Sequence, residues 1–162
     1  MKVKGKVCVV TGAAGGIGEA VARRFAKEGA KGVVVADMDA GRLEKVAREI
    51  GGLAVAGDIG KESEVKKLIA EAEKKCGPVD IFFSNAGISR GGHEDATDKD
   101  WADSWAVHVM AHVYAARDLV PKMLKRGEGY LLNTASAAGL LASMGSAPYG
   151  VTKHAGVALA EH

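Results

Sequence analysis

The stretch that decides the fold is Lys6–Gly29, KVCVVTGAAGGIGEAVARRFAKEG. It opens with four consecutive apolar residues, Val7 to Val10, the pattern of a strand covered on both faces. From Gly16 the periodicity changes. Ile17, Ala20, Val21 and Phe25 recur at the three-to-four spacing of an amphipathic helix, and Gly29 stops it. Between strand and helix lies TGAAGGIG, Thr11–Gly18. Glycines here let the chain turn tightly, approach a pyrophosphate closely and pack helix on strand. The helix N-terminus then offers free N–H groups and a partial positive charge to phosphate.

The same alternation continues outward. Four more strands are expected at Gly32–Asp37, Leu53–Asp58, Val79–Asn85 and Gly129–Ser136. Helical patterns lie between them at Ala40–Ile50 and Glu62–Cys76, each ended by glycine. A long fourth helix follows Thr97, kinked at Pro121, and a fifth begins near Tyr149. Right-handed crossovers from a central first strand predict a Rossmann-type, doubly wound α/β/α sandwich with strand order 3-2-1-4-5. The 162 residues fit one such domain.

Composition narrows the function classes. Apolar residues make up 48%, charged residues 26%, and net charge is +2 with both signs interspersed. That balance predicts neither nucleic acid nor membrane as a partner. No apolar run approaches a membrane span, and the basic start has too short an apolar stretch for a signal peptide. A cytoplasmic location is expected, with Cys8 and Cys76 as free thiols.

Ligands of such sheets bind beyond the carboxyl ends of the strands, between strands 1 and 4. The chemistry-bearing residues cluster there. Asp37 ends the second strand and can accept from both hydroxyls of an adenosine ribose while repelling a 2′-phosphate. No Lys or Arg lies in Thr11–Gly18 or at Met38, so NAD is expected over NADP. Asp58 and Ile59 are placed to hold adenine, although Asp58 before Gly60 also makes a good turn. Asn85-Ala86-Gly87 ends the fourth strand, where small residues admit a flat ring or ribose; Asn85 is equally suited to tie strand ends together. Tyr149 and Lys153, four apart on a helix, share one face.

Taken in order, Thr11-Gly12-x-x-x-Gly16-Ile17-Gly18, Asp37, Asp58, Asn85-Ala86-Gly87, Ser136 and Tyr149-x-x-x-Lys153 resemble the short-chain dehydrogenase/reductase family. The match runs over nearly the whole chain. The resemblance implies an NAD(P)-dependent oxidoreductase acting on CH–OH groups, taking a small alcohol or ketone. In it Gly12, Gly15, Gly16, Ile17 and Gly18 line the phosphates, and Asp37, Met38, Asp58 and Ile59 hold the adenosine. Asn85, Ala86, Gly87, Tyr149 and Lys153 take the nicotinamide side. Tyr149 is implied as acid/base, Lys153 as its cationic partner and Ser136 as the holder of the substrate oxygen. Ser143 and Ser146 share the loop but lack the family spacing.

The sequence departs from the family pattern twice. His108 stands where relatives usually carry an Asn that completes a water-mediated proton path. A metal pair formed by His108 with His112 lacks a third ligand, so no metal is expected. Relatives also continue beyond the fifth helix. The chain is therefore expected to be C-terminally truncated and lacking the final strands, weakly active or inactive alone, and to form homo-oligomers through its fourth and fifth helices. The competing reading is a catalytically silent dinucleotide-binding or interaction protein of the same fold.

Overall fold

A computed structural model describes residues 2–142 and 144–162. Five parallel strands form one sheet in the order β3-β2-β1-β4-β5. They are β1 Val7–Thr11, β2 Gly32–Asp37, β3 Leu53–Ala56, β4 Ile81–Ser84 and β5 Tyr130–Asn133. The expected order holds, with β1 central: Val9 is level with Val34 on one side and Phe82 on the other.

Alternating side chains of the buried strands feed two separate cores, as the period of two requires. Val9, Val34 and Phe82 pack with Val65, Leu68 and Leu119 from α3 Glu62–Cys76 and α5 Ala111–Arg126. Cys8, Val10, Val33 and Val35 pack on the opposite face with Phe25 and Leu43, from α1 Gly16–Lys27 and α2 Ala40–Ile50. Burial pushes the Cys8 thiol up to about 12, so it is an inert core residue.

The fourth helical region differs from expectation. Thr97 caps it, its Oγ1 accepting from Asp100 N at 3.2 Å. Yet the region is not one regular helix: α4 Asp98–Trp105 passes through a π-helical turn at Ala106–Met110 before α5 begins. Pro121 lies inside α5, which runs on to Arg126, and the π-turn is a separate interruption some ten residues earlier. α6 Ala147–Glu161 starts two residues before Tyr149, with the Ser146 side chain accepting from Tyr149 N at 3.1 Å. It packs against α4 and the π-turn. Among the described residues no helix is long and apolar enough to cross a membrane.

Candidate active site and its relatives

A cleft of about 620 Å³ opens at the carboxyl ends of the strands, within the size range of small-molecule sites. It runs from Asp37 past Gly12 and Gly15 to Tyr149 and Lys153. A smaller cavity of about 150 Å³ adjoins it and brings in Met38, Asp58 and Ile59. The two share Gly12, Asp37, Ala86, Gly87 and Ile88.

The floor is shaped by close backbone approach. Gly12 has φ +64°, and a Cβ there would sit 2.7 Å from Ala86 Cα. A Cβ on Gly18 would fall 2.1 Å from Gly12 O, so the first turn of α1 rests directly on the end of β1. No side chain caps α1. Its first N–H groups are thus left for a ligand, the arrangement that suits a pyrophosphate. A side chain at either glycine would strike backbone, so glycine is what lets α1 begin this close to the strand end. Gly15, where a Cβ would meet nothing within 4 Å, lines the cleft at the start of α1, and the site fits a dinucleotide on that ground.

Thr11, outside the expected set, holds β1 to β4. Its Oγ1 accepts from Asn85 N at 2.9 Å and Ala86 N at 3.1 Å. Asn85 Nδ2 donates to Thr11 O at 3.1 Å and Gly12 O at 3.3 Å, and its Oδ1 accepts from Thr134 Oγ1 at 2.9 Å. The side chain of Asn85 therefore ties three strand ends together while lining the cleft. Asp58 is likewise engaged in its own turn, accepting from Gly60 N at 3.0 Å.

At one end of the cleft, Asp37 Oδ2 accepts from Ala14 N at 3.1 Å. A cation does line this end. Arg42, on the first turn of α2, reaches the cleft and lies 3.4 Å from Asp39. The glycine turn and Met38 give no sign of it, because the helix geometry carries Arg42 back to the cleft.

At the other end, Lys153 is 6% exposed and donates from Nζ to Thr134 O at 3.0 Å. Nζ is 5.7 Å from the centre of the Tyr149 ring, and burial pulls the Lys153 ammonium below its ordinary value. Ser136 does not line the cleft. Its Oγ accepts from Ala138 N at 3.2 Å and caps a 3₁₀ turn, Ala137–Gly139. That turn lies against α6, since a Cβ on Gly139 would be 2.7 Å from Lys153 O. Ser143 lies outside the described residues.

His108 also stands behind the cleft rather than in it. It is 1% exposed in the π-turn; its Nε2 accepts from Ile88 N at 3.0 Å, and its Nδ1 lies 2.8 Å from Thr152 Oγ1. Burial, with the charge of Lys153 adding to it, pushes the imidazole down to about 4. His112 is 7% exposed and is likewise held down to about 4, by burial and then Lys153. Its Nδ1 has no hydrogen-bond partner among the described residues.

These two imidazoles make a stability prediction. Both are neutral when folded and become cationic in the unfolded chain as pH falls through 6.5. Between about pH 4 and 6.5 the unfolded chain binds more protons, so this stability is complete above that window and is lost as pH falls through it. His112→Leu removes one such group without orphaning a partner for Nδ1. The variant is expected to gain on the native protein as pH drops from about 7.5 to about 5, measured by urea midpoints. A gap independent of pH would show that His112 is not held neutral by the fold.

Known proteins share this fold. The short chain dehydrogenase family profile matches residues 6–162. Meso-2,3-butanediol dehydrogenase of Serratia marcescens is 37% identical over 164 residues, covering 98% of this chain and 64% of that protein. A short chain dehydrogenase/reductase from Burkholderia phymatum, solved with NAD, superposes with a TM-score of 0.95 at 34% identity, over 99% of this chain and 59% of that one. L-sorbose reductase from Gluconobacter frateurii, solved with NADPH and L-sorbose, gives 0.91 at 35% identity, over 98% and 64%. The chain spans about three-fifths of the length of the curated relatives it matches. A five-stranded 3-2-1-4-5 sheet, a glycine cradle at its switch point and a matching profile from Lys6 onward leave one assignment: the chain belongs to the short chain dehydrogenase family.

Proposed function

We propose that this sequence serves an NAD-dependent dehydrogenase/reductase that interconverts a small secondary alcohol and its carbonyl. The observation that carries the reading is a single cleft with Asp37 and the glycine cradle at one end and Tyr149 with Lys153 at the other. A nicotinamide cofactor bound there would supply or accept the hydride. The chain's own residues do the rest. The α1 N-terminus and Gly12 receive the pyrophosphate, and Asp37 accepts from the adenosine ribose. Tyr149 gives or takes the proton of the substrate oxygen, and Lys153 stabilises the phenolate form. Ser136, on the 3₁₀ turn against α6, is the candidate for holding that oxygen.

NAD reduction with a panel of secondary alcohols and vicinal diols tests the reading. Saturable reduction that requires Tyr149 supports it. Tight NAD binding with no turnover on any alcohol or ketone, in a version carrying a complete C-terminal part, would favour a silent nucleotide-binding protein.

Cofactor choice gives a separate prediction. NAD is expected to bind at least about tenfold more tightly than NADP, about 1.4 kcal/mol, because Asp37 repels a 2′-phosphate and Asp39 occupies Arg42. Asp39→Asn keeps an acceptor for the α2 cap, which Asp39 now makes to Arg42 N at 3.0 Å. It frees the guanidinium, so it should narrow the preference. Equal affinities in the native protein, from paired titrations, would remove the role given to Asp37.

The proposed location is cytoplasmic, where Cys8 and Cys76 remain free thiols. A homo-oligomer is proposed through the long fourth helical region and α6, which expose Trp105, Val120 and Val151.

A further inference from the structure

We propose that His108 is a positioning residue. It clamps the loop at the nicotinamide end of the cleft to helix α6 through one fixed tautomer, and it relays no proton. This rests on the reading of the cleft as a dinucleotide site.

The partners determine the tautomer. The Thr152 hydroxyl has one proton and lies 2.6 Å from Pro148 O, a carbonyl that can only accept. That proton is committed to Pro148, so the 2.8 Å contact to His108 must be made by Nδ1–H donating to Thr152 Oγ1. At the other side Ile88 N–H points at Nε2 from 3.0 Å and needs a lone pair there. The two contacts require the same neutral ring, protonated on Nδ1 alone, and its pKa of about 4 agrees with that state.

Both nitrogens are thereby used. Tyr149 meets the imidazole edge-to-face, with ring centres 5.4 Å apart, and it is not a hydrogen-bond partner of either nitrogen.

What the ring joins is the point. Ile88 lines the cleft beside Gly87, and Thr152 stands next to Lys153 and three residues after Tyr149. One side chain thus fixes the separation between the wall that receives the nicotinamide and the helix that carries the proton-transfer pair. The π-turn that bears His108 lies close to α6 at a glycine, where a Cβ on Gly156 would be 3.4 Å from His108 O. Positioning by a fixed hydrogen-bond network, with no contact to the reacting atoms, is a recognised way to hold a site to its working geometry.

The test uses Thr152→Val, which removes the acceptor for Nδ1–H at similar volume, Thr152→Ser, which keeps it, and His108→Leu. Each is titrated with NADH and with AMP, which occupies only the adenosine end, and Ile88 amide exchange is followed by NMR. Thr152→Val is expected to weaken NADH about three- to tenfold, the worth of one hydrogen bond, with AMP affinity unchanged. Thr152→Ser should restore NADH affinity, and Ile88 exchange should quicken in Thr152→Val and His108→Leu. Equal losses for NADH and AMP, or none, would overturn the clamp. So would Ile88 exchange that is unchanged in Thr152→Val, a readout that stands even if His108→Leu fails to fold. If the native chain binds no NADH, the dinucleotide reading falls, and Ile88 exchange then decides the clamp alone.

Discussion

In a version carrying a complete C-terminal part, Tyr149→Phe is expected to lower turnover by about 10²- to 10⁴-fold, the usual worth of a positioned acid/base, while NADH affinity stays nearly unchanged. A phenol with a reference pKa of about 10 must come to about 7, which needs roughly 4 kcal/mol. A Lys⁺ at ~4 Å in an effective dielectric of ~20 supplies about that much. Lys153 is suited to the task because it is buried and held by Thr134 O at 3.0 Å. The burial that lowers its own proton affinity also removes the water that would screen its field. Lys153→Met should therefore damage both turnover and NADH binding, since it removes the cation and loosens the contact to Thr134 at the cleft wall. Steady-state rates with NADH titrations separate the two outcomes. If Tyr149→Phe kept most of its activity, the proton donor would have to be another group.

The sheet was readable because fully buried parallel strands must be apolar at consecutive positions, and VCVV and VVVA are. Strand ends were less readable. The pattern extended β4 through Asn85, whereas the ladder stops at Ser84 and the Asn85 side chain turns to bind Thr11 O and Gly12 O. Asp58 and Ser136 leave their strands in the same way, each binding a nearby backbone N–H instead. Polar residues at strand ends compete with the ladder for backbone groups, and that competition has no periodic signature.

The π-turn at Ala106–Met110 left no trace in the sequence either. One wide turn scarcely alters an apolar spacing of three to four, and Pro121, the visible cue in this region, lies farther on inside α5. The partners of His108 lie 20 and 44 residues away, so only the folded chain brings them together. Arg42 was hidden for a similar reason. Its place at the Asp37 end of the cleft depends on how α2 returns over β2, which neither the glycine turn nor Met38 reveals.

Gly18→Ala is expected to cost about 3 kcal/mol or more and to lower the melting temperature by roughly 6–12 °C. On propensity alone the sign should be the reverse, because Ala favours a helix over Gly by about 1 kcal/mol. Packing decides it. The new Cβ would lie 2.1 Å from Gly12 O and 2.7 Å from both Gly12 C and Asn85 Nδ2. Gly12 cannot withdraw freely, since its O accepts from Asn85 at 3.3 Å and its own Cα faces Ala86. Relief must come from lifting α1 off β1, which also withdraws the helix N-terminus from the phosphates, so NADH affinity should fall with stability. Gly41→Ala is the internal contrast. It lies in α2, exposed, where a Cβ would meet only Asp39 Oδ1 at 3.7 Å. There propensity should win and stability rise by about 0.5–1 kcal/mol. Thermal melts of the two variants should therefore move in opposite directions. A Gly18→Ala protein melting at or above the native temperature would mean that helix and turn do not approach this closely, and the cradle assigned to the pyrophosphate would have to be redrawn.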